Sequence, residues 1–308
     1  MTPAEPTNMS ASVHARLLNI SRAGGEPFER TFQRYALERF LYRLSQSRYA
    51  ESYVLKGALM LQVWGRSFAR PTRDIDLLGR GTNEVGSVVA AVRNICATAV
   101  PPDGLVFDAA SIEASLIAEE SKYHGVRVTL WAFMGKARIR VRMDVGFGDA
   151  AYPPPERITY PTYLDFPAPV IFGYRPETSI AEKLHAMVTR GVRSSRLKDF
   201  YDLWAMGMQL AFDGQTLARS VDEAFARRGT TVPADFAALA AQLCAALAKQ
   251  TQWDSFISKS GLTHAPAQFS DAMDAIELFL GPVVEALVEG REFTVTWTPP
   301  GPWVDGEE

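Results

Sequence analysis

The stretch Arg70-Pro71-Thr72-Arg73-Asp74-Ile75-Asp76-Leu77-Leu78 decides how the chain reads. Ile75, Leu77 and Leu78 predict a short buried strand over 74–78. Residues i and i+2 of a strand share a face, so Asp74 and Asp76 project together while Ile75 and Leu77 turn toward a core. Two adjacent carboxylates repel one another and cost free energy unless a cation lies between them. Their hard oxygens suit Mg²⁺, with Mn²⁺ as the alternative, commonly shared with substrate phosphates. A bare Asp-x-Asp is often a solvated strand end. Here Thr72-Arg73 before it and an apolar run after it favour phosphoryl or nucleotidyl transfer.

Upstream, Tyr53-Val54-Leu55 predicts a strand, Lys56-Gly57-Ala58 a turn and Leu59 to Trp64 the start of a helix. Backbone N–H groups at such a helix start can hold phosphate oxygens, although most glycine turns are plain connections. Helices are expected over 10–22 and from Phe28 to Leu44, broken by Gly24-Gly25. In the second, Phe28, Phe32, Tyr35, Leu37, Phe40, Leu41 and Leu44 form the core stripe, and Glu29, Arg30, Arg34, Glu38 and Arg39 decorate the other face. Downstream, a helix is expected over 85–97 and strands over 105–107, 125–133 and 137–147, the last two as a hairpin across Met134-Gly135-Lys136. Asp144 interrupts the last strand, and an aspartate there is costly to bury unpaired. If its strand lies beside that of Asp74, three carboxylates meet, enough to hold one or two Mg²⁺ and orient a triphosphate. The alternative is an ion pair with Arg73 or Arg142.

From Pro176 the texture becomes helical, with helices expected over 179–189, 196–209, 214–228, 233–249 and 268–288. Ser179 and Glu182 have the spacing of a capping box. Lys183 shares an apolar face with Ile180, Leu184 and Met187, where it either snorkels to solvent or reaches an anion. Asp199 and Asp202 share one helical face. Arg190, Arg193, Arg196 and Lys198 form either a surface salt-bridge face or a patch for phosphate or RNA backbone. The class is α/β (α+β), divided into an N-terminal helical segment (1–50), a core (51–175), a helical C-terminal domain (176–290) and a tail (291–308) with Pro299, Pro300 and Pro302.

Hydrophobic residues make up 47% of the 308 positions and charged residues 22%, an ordinary globular composition. The net charge of −3 gives no global basic field, so a nucleic-acid partner must be held by a local patch. Cys96 and Cys244 lie in apolar helical settings and read as buried thiols in a reducing compartment. No signal-peptide h-region or membrane-length apolar run occurs, so a cytoplasmic location without membrane contact is expected. His14, His124, His185 and His264 lack metal-ligand spacing, and there is no P-loop, Gly-x-Ser-x-Gly or Cys-x-x-Cys.

Four segments together resemble the motifs of the AbiEii-type nucleotidyltransferases, toxins of type IV (AbiE-like) toxin–antitoxin and phage-defence systems. They are Leu55 to Ala58, Arg70 to Leu77, Ile180 to Lys183 and Arg196 to Leu203; Tyr35 to Leu44 is also similar to the group, and the resemblance spans about residues 10–290. It implies a polymerase-β-like nucleotidyltransferase core with a mixed sheet, N-terminal helices and a helical C-terminal half. By similarity Asp74 and Asp76 would bind Mg²⁺, Lys56, Gly57, Ala58, Thr72 and Arg73 would line the NTP, and Lys183 would contact the triphosphate. Asp199, with Asp202 as the alternate, would support catalysis, and Thr72 falls where related toxins can carry a regulatory phosphate. Ala58 departs from the Gly-Ser or Gly-Gly common in the wider superfamily and offers phosphate no hydroxyl. Relatives transfer nucleotides from an NTP to tRNA 3′ ends and so block translation, accompanied by an antitoxin that is often a winged-helix transcriptional repressor. A protein or small-molecule acceptor, or a non-catalytic binding module on the same fold, are the alternatives.

Overall fold

The computed structural model describes residues 8–117, 125–148, 151–193, 195–246 and 248–305; His124 and the first residues of the N-terminal stretch lie outside these. The chain divides into two units, one of residues 1–63, 71–149 and 156–173, the other of 64–70, 150–155 and 174–308.

The first unit is built on a seven-stranded mixed sheet of order β3-β4-β5-β2-β1-β7-β6. Its elements are α1 (Met9–Gly24), α2 (Phe28–Gln46), β1 (Tyr53–Lys56), α3 (Met60–Trp64, whose last residue belongs to the second unit), β2 (Asp74–Gly79), α4 (Val85–Cys96), β3 (Val106–Ile117), β4 (Gly125–Met134), β5 (Ala137–Phe147), β6 (Glu156–Thr159) and β7 (Val170–Gly173). β2 runs parallel to β5 and β1 parallel to β7, while the other neighbours are antiparallel. The expected hairpin of β4 and β5 forms, with Gly135 at φ 58° in its turn. Ile75, Leu77, Val126, Val128, Leu130, Val141, Met143 and Val145 are buried, and α1, α2 and α4 pack against the sheet. The alternation of β2 and β5 sends their charged residues to the opposite face.

Three expectations for this unit need correcting. Glu38 and Arg39 do not decorate a solvent face, because the 160–167 segment covers that side of α2 and both are buried. Glu38 accepts the Tyr163 N–H (2.8 Å) and pairs with Arg39 (3.2 Å), which donates to the Pro167 carbonyl (2.7 Å). β3 runs far beyond 105–107, with a register irregularity between Asp108 and Glu113 that breaks its alternation. β6 and β7 are additional short strands, and β7 is paired by β1 more than a hundred residues earlier in the chain.

The second unit contains α5 (Pro176–Arg190), α6 (Leu197–Gln209), β8 (Phe212–Asp213), α7 (Gly214–Arg227), α8 (Phe236–Ala245), α9 (Lys249–Ser260), α10 (Phe269–Glu289), β9 (Val295–Trp297) and β10 (Trp303–Asp305). Its core includes Phe269, in edge contact with both Phe200 and Trp253, and Trp297, whose indole donates to the Gly207 carbonyl (2.7 Å). The 233–249 segment does not form one helix, and α9 is separate. α5 starts earlier than expected, with Pro176 in its first turn, so Ser179 is interior. The Ser179–Glu182 capping box is therefore absent; Ser179 Oγ is buried without a hydrogen-bond partner, and Glu182 accepts from the Tyr174 hydroxyl (3.2 Å). In the stretch read as a tail, β9 and β10 complete a three-stranded sheet with β8.

The cysteines are both free, but Cys244 is exposed and Cys96 half-buried. Cys244 sits on the outer side of α8, whose buried residues are Phe236, Ala240 and Leu243. No helix among the described residues is long and apolar enough to cross a membrane.

Candidate active site

Strand register builds the first unit's polar face. Lys56 on β1 lies opposite Asp76 on β2, Asp76 opposite Asp144 on β5, and Asp144 opposite Arg127 on β4. Directly paired residues share a face, so these four groups form one row across four strands. One step along, Asp74 lies opposite Arg142, and Arg142 opposite Thr129. Asp74, Asp76 and Asp144 thus come together in the register the sequence required.

The surroundings of the carboxylates differ. Asp74 Oδ1 is buried and has no hydrogen-bond partner. Arg142 Nη1 stands 3.5 Å from it, an ion-pair distance without a hydrogen bond. An under-satisfied buried carboxylate oxygen costs free energy in the bare protein, and a cation removes that cost. Asp76 lies against Gly57, where a Cβ would stand 2.1 Å from Asp76 Oδ2. Gly57 also has φ +70°, a conformation that side chains disfavour. The turn can therefore approach the carboxylate only because residue 57 is glycine. Hard oxygens on one strand end, one of them unsatisfied, fit a divalent cation such as Mg²⁺.

Asp144 is different again. Arg127 holds it from both sides, Nε to Oδ1 at 2.8 Å and Nη2 to Oδ2 at 2.6 Å. Arg73 and Arg142, the partners considered from sequence, do not fill this role, because the hairpin puts Arg127 directly across from Asp144. The hydrogen bond to Asp144 and the charges of Asp144, Asp74 and Asp76 raise the Arg127 pKa against the effect of burial. Among the described residues no group of three or more His, Cys, Asp or Glu side chains is arranged to hold a metal ion.

The other expected contacts of this unit are more modest. Ala58 is buried, and Lys56 Nζ lies 3.8 Å from where a Cβ on Gly146 would stand. Thr72 Oγ1 is 3.4 Å from both the Asp74 amide and its carbonyl. Arg73 is exposed, and its carbonyl accepts from Gln33 (3.4 Å).

The second unit gathers Lys183, Asp199 and Asp202. Asp202 is fully buried and receives Arg70 through two hydrogen bonds, Nε to Oδ1 at 2.7 Å and Nη2 to Oδ2 at 2.9 Å. Lys183 Nζ reaches Asp202 Oδ2 at 2.7 Å and Asp199 Oδ1 at 3.3 Å. Arg196 reaches Asp199 Oδ2 at 3.0 Å. Lys183 therefore does not snorkel: it is a bridge between two aspartates. Burial alone would raise the Asp202 pKa, but the charges and hydrogen bonds of Arg70 and Lys183 overcome it and hold the carboxyl below its ordinary range. Burial likewise opposes the charge on Lys183, and Asp202 and Asp199 outweigh it, raising its pKa. Of the basic cluster, Arg193 and Lys198 are exposed, whereas Arg196 turns inward to Asp199.

Sequence reasoning missed Arg127, the Arg142 contact to Asp74, and Arg70. The first was available: with Met134 opposite Ala137 across the hairpin turn, counting back places Arg127 opposite Asp144. Nothing local in the sequence announced the pairing of Arg70 with Asp202, 132 residues away.

Residues 39–275 match the family model described as nucleotidyl transferase AbiEii toxin, type IV toxin–antitoxin system. Among solved structures, the chain is similar to the crystal structure of JHP933 from Helicobacter pylori, with 15% identity, 82% of this chain and 90% of that chain covered, and a TM-score of 0.41. A second H. pylori structure, of a candidate nucleotidyltransferase, has 16% identity, 82% and 93% coverage, and a TM-score of 0.39. No curated protein shows a significant sequence match.

Proposed function

The chain belongs to the AbiEii nucleotidyltransferase toxin family, and from that premise we propose that it is a Mg²⁺-dependent enzyme that transfers nucleotides from an NTP to RNA, namely the tRNA 3′ end, and so blocks translation in the cytoplasm. The observation that carries the reading is the strand end of Asp74 and Asp76, with an unsatisfied oxygen on the first and the Gly57 turn against the second. A divalent cation bound there offsets the charge of the triphosphate and of the pyrophosphate leaving group. Asp74 and Asp76 hold and orient that charge. The acceptor 3′-hydroxyl attacks the α-phosphorus in line, the bond to the β-phosphate breaks, and pyrophosphate leaves. Lys56, Gly57, Ala58, Thr72 and Arg73 line the nucleotide, the turn contributing through its backbone N–H groups since Ala58 has no hydroxyl. Lys183 is the triphosphate contact and Asp199 the supporting carboxylate by the family's motif order, and the ion pairs around Lys183 keep it charged.

An RNA acceptor agrees with a local feature that the net charge hides. Arg138, Arg140 and Arg142 alternate along β5, all exposed, on the same face as Asp74 and Asp76. Trp131 lies beneath the guanidinium groups of Arg138 (4.9 Å) and Arg140 (5.7 Å). A strip of cations beside an aromatic ring suits a phosphate backbone and a base. The toxin–antitoxin family implies a cognate antitoxin as partner; a winged-helix repressor is the proposed form.

Purified protein with total tRNA, Mg²⁺ and each labelled NTP tests the reading. Label on RNA with wild type and none with Asp74→Ala is expected. Label on protein would move the acceptor to a side chain, and no transfer from any NTP would leave only a binding module.

A further inference from the structure

Arg127, Arg138, Arg140 and Arg142 share the polar face with Asp74 and Asp76, and three of them are already engaged. Arg127 forks onto Asp144 through two hydrogen bonds. Arg140 donates to Thr129 Oγ1 (2.8 Å) and pairs with Glu113. Arg138 lies over the Trp131 ring at 4.9 Å. Arg142 differs. Among the described residues its guanidinium makes no hydrogen bond and stacks on no ring, and it stands 3.5 Å from Asp74 Oδ1. Its side chain is 46% exposed. A planar fork of donors left unspent beside a carboxylate pair suits a phosphate brought from outside.

Sheet order distinguishes which phosphate. β2 has β1 on one side and β5 on the other. The Gly57 turn closes on Asp76 from the β1 side, whereas Arg142 meets Asp74 from the β5 side. In the reading above, the turn holds the triphosphate. In-line transfer puts the attacking and leaving oxygens on opposite sides of the α-phosphorus. Pyrophosphate leaving toward β1 therefore requires an acceptor that arrives over β5. Same-face residues of a strand are about 7 Å apart, so Arg140 and Arg138 follow Arg142 at such steps and lead away from Asp74.

We propose that Arg142 binds the terminal phosphodiester of the RNA acceptor and so sets its 3′-hydroxyl against the α-phosphorus, with the acceptor crossing β5 and the triphosphate lying over β1. The inference rests on the nucleotidyl-transfer reading given above; it adds the direction of approach and the residue that fixes it.

The test compares wild type, Arg142→Gln and Arg142→Lys in labelled-nucleotide transfer to tRNA, varying RNA and NTP in turn. It adds the anisotropy of a fluorescent tRNA with EDTA present and no nucleotide. Arg142→Gln is expected to raise KM for RNA, and the Kd read by anisotropy, about tenfold or more, the size of one lost charge-assisted contact. KM for NTP should be unchanged. The slope of log Kd against log salt should fall by about 0.7, one phosphate contact on a single strand. Arg142→Lys keeps the charge and should keep the slope, but recovers only part of the affinity because the fork is lost. Mn²⁺ binding without nucleotide, read by the electron paramagnetic resonance signal of free Mn²⁺, should persist in both variants. An unchanged RNA KM and salt slope in Arg142→Gln would overturn the proposal. So would a rise in KM for NTP with RNA binding intact, which moves Arg142 to the triphosphate, or loss of Mn²⁺ binding, which makes it a support of Asp74. Wild type that binds Mn²⁺ but transfers no label to RNA would instead remove the acceptor reading, and this inference with it.

Discussion

The protein carries two pairs of aspartates that look alike in sequence and differ in how their charge is met. Asp199 and Asp202, on α6, are saturated from within: Arg70, Lys183 and Arg196 supply the counter-charge at 2.7 to 3.3 Å. On β2, one buried oxygen of Asp74 has no hydrogen bond, with Arg142 standing 3.5 Å from it. A carboxylate pair neutralised by its own chain is held firmly in place within its unit. A carboxylate with a buried oxygen left without a hydrogen bond is suited to a cation from outside. The spacing of two aspartates says only that they share a face; the neighbouring cations decide what they are for.

The largest expected effect that sharpens this contrast is Asp202→Ala. It strands Arg70 and Lys183 in a buried setting and should lower unfolding free energy by about 3–5 kcal/mol in denaturant titration. Asp74→Ala removes an unsatisfied group and should change stability by about 0.5 kcal/mol or less while abolishing transfer. Equal destabilisation by the two would break the comparison. Next is Gly57→Ala. Its left-handed backbone should cost about 1–2 kcal/mol, and its Cβ would displace the Asp76 carboxylate. Activity should therefore fall far more than thermal stability, measured on the same preparation.

Much of the first unit was legible because its signals are local. The alternation in β4 and β5, the Gly135 turn and the apolar residues flanking Asp74 and Asp76 each specify strands whose charged sides agree. β6 and β7 were not legible: each has four residues, and β7 owes its place to a parallel partner far back in the chain. Nor were β9 and β10, three residues each among prolines, whose order comes from β9 pairing with β8 and β10 with β9. Glu38 and Arg39 misled for the opposite reason, since charge reads as exposure until a loop arrives with matching polar groups. The candidate site was visible as residue types, and the Arg127–Asp144 pair could have been counted across the hairpin, but Arg70 reaches Asp202 from 132 residues away.

Smaller effects follow from titration. Asp202 has a pKa below its unfolded value of about 3.9. Its stabilisation is thus fully present above that value and is lost as pH falls through the folded pKa. Wild type should lose stability steeply there, and Asp202→Asn, already weakened, should show a shallower acid slope in chemical denaturation. Burial pushes the Cys96 thiol up to about 12, whereas Cys244 is exposed with a smaller upward shift. Maleimide or iodoacetamide at neutral pH should therefore modify Cys244 first, as read by peptide mass mapping.

The contrast between the two aspartate pairs is tested most directly by scanning calorimetry with and without MnCl₂ on wild type, Asp74→Asn and Asp199→Asn. A ligand that binds only the native state raises Tm. The expected result is a Mn²⁺-dependent rise for wild type and Asp199→Asn and none for Asp74→Asn. A rise that persists in Asp74→Asn, or that disappears in Asp199→Asn alone, would contradict it.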